Sequence, residues 1–464
     1  MVVMEQIQRG DLEQLQESAH RLLDELVTPD GIYASAAIGW EGPYHAWFGR
    51  DGAITADFLV AATEYGGDRA LARTAIQALV KFSDYQGKAP VAATGEETGK
   101  LPHEVRAEFN DVDGVQHAAR TNELPWYIDP EDDTLKNWDT ADGTALWGLA
   151  LLRAEAQEIG GYLKENTEIA ERLRAALDWI MRTIGQYDGL VGFVGAGEQP
   201  GREYSGLHNQ GWKDTEAIYQ TPAGDNAPHP IKDVLVNAEA WAVLREGADF
   251  FAATDDSYSQ RLREAADKLK RRFNDPDDGF LLDTENVVLA QAIDGSDTRL
   301  EQSSVDQGAV LWAHTGNKET IVDERVKQRL VSLSMSDKMF NDEAGVRNYA
   351  KGTKFNHGTR YHGSSTTYWP FMSGMIARGM EQTGFDSEAE RVMKAYLNAV
   401  RTLGTNIEMF IQNENDEFEP WSHPDPEIGQ MSSREQAWTA AAVYYATSYL
   451  LHDERGVSNI PSDT

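Results

Sequence analysis

Helical spacing runs through nearly the whole chain, and the helical segments are of two kinds that take turns. In the first kind, apolar residues recur every three or four positions with charge on the opposite side, as on a half-exposed helix. Leu12, Leu15, Ala19, Leu22 and Leu26 set the pattern, and it returns around Leu71–Val80, Ile169–Ile180, Leu262–Phe273, Ile321–Leu330 and Ala389–Val400. The second kind is poor in charge, rich in Ala, Gly and aromatics, and apolar nearly all round, as a fully buried helix must be. Segments starting at Gly52, Thr140, Val234, Ser304, Ser364 and Glu435 have this character. Twelve candidate helices result, outer and inner in alternation.

The connections alternate too. Each inner helix is expected to pass to the next outer one through about four to seven residues, and each outer helix to the next inner one through roughly 20 to 55. Six inner helices ringed by six outer ones would gather all the long loops on one face, around a mouth, where loops usually carry function. The predicted fold is therefore all-α, a single (α/α)6 barrel or six-hairpin toroid over residues 1–464. Its first helix, at about 10–27, belongs to the barrel, and no separate β-sandwich domain is expected. An α-solenoid also stacks helical hairpins, but it needs neither charge-free inner helices nor long loops on one side alone.

Charge and composition narrow the partners. Asp and Glu number 76 against 42 Lys and Arg, a net charge of −34 spread along the chain. Such a field repels polyphosphates, so no nucleic-acid partner is expected, whereas a neutral substrate is indifferent to it. Adaptation to high salt would account for the surface, since salt screens self-repulsion. Cysteine is absent, which excludes disulfides, thiolate metal sites and a cysteine nucleophile. Apolar stretches are broken well before the roughly 18 residues of a bilayer span, and the N-terminus lacks a secretory pattern. A cytoplasmic location without a membrane partner is expected.

The chemically distinctive residues fall in or just after the long loops. The first holds Trp47, Arg50 and Asp51; the second His103, Glu104 and Arg106, then Trp138, Asp139 and Asp142. The third holds Gln210, Trp212, Lys213 and Asp214, the fourth Asp306, the fifth Tyr361 and His362 before Trp369, and the sixth Glu408. Seven of the 12 Trp residues lie there: Trp40, Trp47, Trp126, Trp138, Trp212, Trp369 and Trp421. Aromatic faces cover the apolar side of a pyranose while Asp, Arg and His bind its hydroxyls, so the expected ligand is a small carbohydrate. Hydrolysis of a glycoside needs two carboxyl groups, one protonated and one ionised. Asp214 and Glu408 are the candidate catalytic pair. Trp212 would raise the Asp214 pKa, and Lys213, if close, would oppose that. Glu435 is the reserve candidate for the base, although an acid at a helix start also has a plain dipole explanation.

Taken in order, the motifs FGRD, LPHEVR, NQGWKD, YHGS with YWP, and IEMF with QAW, whose tryptophan is Trp438, resemble those of the amylo-α-1,6-glucosidase domain of glycogen-debranching enzymes. More distantly they are similar to those of glucoamylases and trehalases. The resemblance runs from about Trp47 to Leu451. It implies an (α/α)6 barrel, inversion at the anomeric carbon, an acid at Asp214 and a base at Glu408. It also implies that Arg50 and Asp51 grip a terminal glucose, with Trp212, Trp138 and Asp142 lining the same pocket. The family's β-rich domain ahead of the barrel has no counterpart in the roughly 46 residues before the first motif. Small α-glucosides therefore stand beside debranched glycogen or starch stubs as expected substrates. No metal or organic cofactor is expected. The alternative reading is a sugar epimerase or isomerase on the same barrel, with His103, His208 or His362 moving a proton next to a carbonyl.

Overall fold

A computed structural model describes residues 7–37, 44–107, 115–121, 125–216, 218–282, 284, 287–353, 361–425 and 430–457. Among these are fourteen helices. Trp40 lies outside the described residues.

Inner helices form where sequence supplies a buried surface on all sides. They are α2 (Gly49–Ala62), α5 (Gly143–Ala156), α8 (Val234–Phe251), α10 (Val305–Ala309, continued as 3-10 turns over Val310–Trp312), α12 (Pro370–Gln382) and α14 (Ala437–Val457). Every residue of α2 is buried. The outer helices are α1 (Arg9–Leu26), α3 (Arg69–Phe82), α7 (Thr167–Gln186), α9 (Asp256–Phe273), α11 (Glu324–Ser334) and α13 (Asp386–Leu403). The first turns of α3, α7, α9 and α11 are set by side chains that accept from orphaned backbone N–H groups, as Asp68 does from Ala70 and Leu71. Gly404 closes α13 at φ 69°, a left-handed cap that a residue with Cβ rarely adopts. Two short helices, α4 (Val115–Arg120) and α6 (Tyr162–Glu165), were not expected from the apolar pattern.

The inner helices touch in a cycle: α2 packs on α5, α5 on α8, α8 on α10, α10 on α12, α12 on α14, and α14 back on α2. Helix α1 packs on α14 and helps close the ring. The arrangement is a helical toroid.

Three expectations need correction. The inner segment from Ser304 is short, because Arg153 Nη2 on α5 captures the carbonyls of Trp312 and His314 at 2.8 and 2.9 Å, which ends the helix. The segment from Ser364 is extended before it is helical: Thr367–Tyr368 pairs with Phe410–Ile411, and Pro370, which lacks an N–H, opens α12 at its first turn. The short links are 63–68, 252–255 and 383–385, but 157–166 and 313–323 exceed the predicted length.

The long loops also contain short strands, which the all-α expectation omits. Trp47–Phe48 pairs with Glu104–Arg106, joining loops one and two. Lys232–Asp233 pairs with Ala292–Ile293, joining three and four. The Thr367–Tyr368 ladder joins five and six. Isolated bridges Ser304 to Tyr349 and Ser35 to Gln436 link neighbouring pairs. No helix among the described residues is long and apolar enough to cross a membrane.

Candidate active site

Each long loop delivers the chain to the N-terminus of an inner helix, so the helix N-termini gather on the loop face. Partial positive charge at those ends favours nearby carboxylates. A cavity of ≈ 220 Å³ opens there, walled by Phe48, Arg50, Asp51, His103, Glu104, Arg106, Trp212, Asp214, His362, Trp369, Glu408 and Trp438 among others. Eleven of the seventeen residues singled out from sequence therefore share one cavity.

Arg50, in the first turn of α2, organises one wall. Its Nη1 donates to Asp142 Oδ2 at 3.3 Å and to the Gly211 carbonyl at 2.5 Å; Nη2 donates to His103 Nδ1 at 3.2 Å and to Asp214 Oδ2 at 3.3 Å. A 3% exposed guanidinium with that many acceptors is held rigidly. Burial and the adjacent Arg50 and Arg106 push His103 well below its usual range. It accepts at Nδ1 and is neutral.

Asp214 is 25% exposed, and that exposure is into the cavity. Burial raises its pKa to about 6; Arg50 pulls against this and Asp142 adds to it. Lys213, beside it in sequence, points the other way. Its Nζ donates to Asp306 Oδ2 at 2.7 Å, both groups 1% exposed, and lies over the Trp212 and Tyr349 rings. Trp212 Nε1 donates to Asp306 Oδ1 at 2.5 Å, so Asp306 fixes the indole that walls the cavity.

Glu408 is 3% exposed and accepts three hydrogen bonds: from Tyr361 Oη at 2.5 Å, from the Ser433 N–H at 2.9 Å and from Gln436 Nε2 at 3.3 Å. Burial raises its pKa to about 8, while the donors from Tyr361 and Ser433 favour the ionised form. Asp51 is raised to about 7, by burial first, with Arg50 opposing and Asp214 and Asp142 adding.

The aromatic wall is continuous. The His362 ring stacks on Trp369 with centroids 5.1 Å apart and 9° between planes, and its Nδ1 sits 3.0 Å from Thr215 Oγ1. Trp438 stacks on Phe371 at 3.9 Å. His362 is pushed well below its usual range by burial and by Lys213 and Arg50. His208 does not line the cavity.

Six sequence candidates lie behind the wall. Trp47 packs on Tyr33 and Tyr85 beneath the first loop. Trp138 is buried outside the cavity. Asp139 accepts from Arg202 Nη2 at 2.7 Å and the Leu207 N–H at 3.1 Å, tying the second loop to the third. Asp142 braces Arg50 and accepts from Thr140 Oγ1 at 2.7 Å. Gln210 donates to the Val194 carbonyl at 2.8 Å and faces a neighbouring cavity, and Lys213 serves Asp306. Trp47 and Lys213 each sit beside a wall residue in sequence, where a one-residue step turns the side chain away. The reserve base Glu435 also lies outside the cavity, accepting from Thr405 Oγ1 at 2.9 Å; its neighbour Gln436 reaches Glu408 instead.

Sequence reasoning named Tyr361 without giving it a role and missed Gln436 and Tyr44; all three line the cavity. Tyr361 and Gln436 stand within the YHG and QAW motifs, so a signal existed. Tyr44, which bonds to Tyr361, had none.

No protein-family model matches the sequence, and a search of curated proteins finds no match. Solved structures do share the fold. A GH63 mannosylglycerate hydrolase from Thermus thermophilus in complex with Tris is 16% identical with a TM-score of 0.59, over 93% of this chain and all (100%) of that one. Its complex with glucose gives 16% and 0.58 over 93% and 99%. A wild-type glycosidase gives 12% and 0.53 over 96% and 98%.

Proposed function

We propose that this protein is a glycoside hydrolase that removes the terminal hexose of a small α-glycoside, with an α-glucoside the first candidate, by an inverting reaction on an (α/α)6 barrel. The observation that carries the reading is a pair of carboxyl groups, Asp214 and Glu408, facing one cavity in opposite hydrogen-bonding environments. Among the described side chains Asp214 accepts from Arg50 alone, and its pKa lies near neutrality, which suits a group that holds a proton and gives it up. Glu408 is surrounded by donors, which suits an anion that takes a proton from water.

In this mechanism the sugar ring lies against Trp212, Trp369 and Trp438, with Arg50 and Asp51 on its hydroxyls. Asp214 protonates the glycosidic oxygen as the C–O bond breaks. Glu408 deprotonates a water that attacks the opposite face of the anomeric carbon, and the sugar leaves with inverted configuration. The cavity is below the ~300 Å³ typical of drug-sized ligands, which favours one ring with a small aglycone over a branched polymer. The fold shared with a mannosylglycerate hydrolase supports the same size class. Neutral, firmly held His103 and His362 give a histidine-shuttling isomerase no matching support.

The test is sugar release from isomaltose, panose, maltotriose, trehalose, kojibiose, limit dextrin, mannosylglycerate and its glucosyl counterpart, with the anomer followed by proton NMR. Inverted product that disappears in Asp214→Asn is expected. A retained anomer, or conversion of one free sugar to another, would sink the proposal.

A further inference from the structure

Outside the cavity, one cluster among the described residues has the make-up of a transition-metal site: Glu198, His208 and His229, with one ligand-capable atom from each within 4.8 Å of the others. All three belong to the loop over residues 187–233, at points far apart in sequence. Glu198 ends a turn of 3-10 helix (Ala196–Glu198), His208 follows the cavity-lining Leu207, and His229 precedes the strand into α8.

Three observations point to a bound ion. The rings of His208 and His229 have centroids 4.7 Å apart at 63°, and two imidazoles sharing zinc through bonds of about 2.0–2.1 Å place their centroids about 5 Å apart. The His229 side chain is 2% exposed, which holds its ring in one place against the other two groups. Its Nδ1 lies 2.8 Å from Glu198 Oε1; a carboxylate in that position either orients a ligating imidazole or joins it on the metal. The backbone also grips the ring, since a Cβ on Gly195 would lie 2.9 Å from His229 Cε1.

We propose that Glu198, His208 and His229 bind one divalent transition-metal ion, zinc in the first instance, which staples the loop that carries Asp214. Two imidazoles and one carboxylate suit zinc and its neighbours, whereas calcium and magnesium prefer oxygen throughout. Glu198, 53% exposed, has room to swing onto the ion and leaves solvent to complete the coordination. Trp212 and Asp214 lie between His208 and His229, so the ion would join the two ends of the segment holding the acid. The role is structural, because the ion sits apart from the reacting carboxyl groups.

The experiment strips purified full-length protein with a chelator and titrates it with Zn2+ in excess Mg2+, which occupies surface carboxylates. Zinc content and Tm are read alongside wild type, Glu198→Gln, His208→Gln and His229→Gln. One zinc per chain, a Tm that rises on reloading, and affinity lowered at least about tenfold in each variant that folds are the expected results. Glu198→Gln and His208→Gln alter partly exposed side chains, so they remain informative if His229→Gln does not fold. A wild-type Tm indifferent to zinc, or zinc held as tightly by Glu198→Gln and His208→Gln as by wild type, would overturn the assignment.

Discussion

Tyr361 donates its hydroxyl hydrogen to Glu408 Oε1 across 2.5 Å, from a different long loop than the one that carries the carboxylate. The proposed base is thus assembled across two loops. Tyr361→Phe removes a donor to a charged acceptor, a bond of about 1.5–3 kcal/mol, so kcat/KM should fall roughly ten- to a hundredfold. The alkaline limb of the rate profile, which Glu408 sets near pH 8, should move to higher pH, because Glu408 loses part of what favours its ionised form. Steady-state kinetics across pH on folded protein checks both.

The pH dependence of kcat/KM should be a bell. Below about 6 both Asp214 and Glu408 are protonated and Glu408 accepts no proton; above about 8 both are ionised and Asp214 has none to give. The optimum should lie between these values, which belong to the pair; within that window Glu408 holds the proton in most molecules, and the productive form with the proton on Asp214 is the minority species. Initial rates from pH 4 to 10 test this, and an optimum outside that window would refute the assigned roles.

Stability should run against activity at the same group. Folding raises the Glu408 pKa from 4.5 to about 8, so the folded state binds its proton more tightly. That stabilisation is complete below the unfolded value and is lost as pH rises through the folded one. Glu408→Gln, neutral at every pH, should abolish activity yet melt higher than wild type at pH 8, with the difference shrinking towards pH 4. Calorimetry at both pH values decides it.

Much of this arrangement was legible in the sequence because burial leaves a mark on composition. A helix such as α2, covered on all sides, excludes charge along its length except Arg50 and Asp51 at the mouth and Asp57, paired with Arg153. The direction in which a loop side chain points leaves no such mark. Lys213 and Asp214 are adjacent and look equivalent in sequence, yet one faces Asp306 in the interior and the other faces the cavity. The strands were invisible for a related reason: with two to four residues each, they are too short to show a period of two.

The Lys213–Asp306 pair gives another prediction. Lys213→Met strands a buried carboxylate that also accepts from Trp212, Ser304 and Gln291, and breaking such a pair costs about 3–5 kcal/mol. Denaturant unfolding should show this loss, and Lys213→Met combined with Asp306→Leu should recover part of it.

Salt should stabilise the protein. With a net charge of −34, screening that shortens from about 10 Å at 0.1 M to about 3 Å at 1 M relieves repulsion between surface carboxylates. The Tm should rise steadily with sodium chloride into the molar range; a flat response would remove the case for a halophilic surface.

The short ladders joining loops one to two, three to four and five to six make the mouth a set of three paired units. Anyone grafting a new specificity onto this scaffold would have to exchange both members of a pair. A single transplanted loop would arrive with half a ladder, leave backbone donors of its old partner unmatched, and shift the helix start that it feeds.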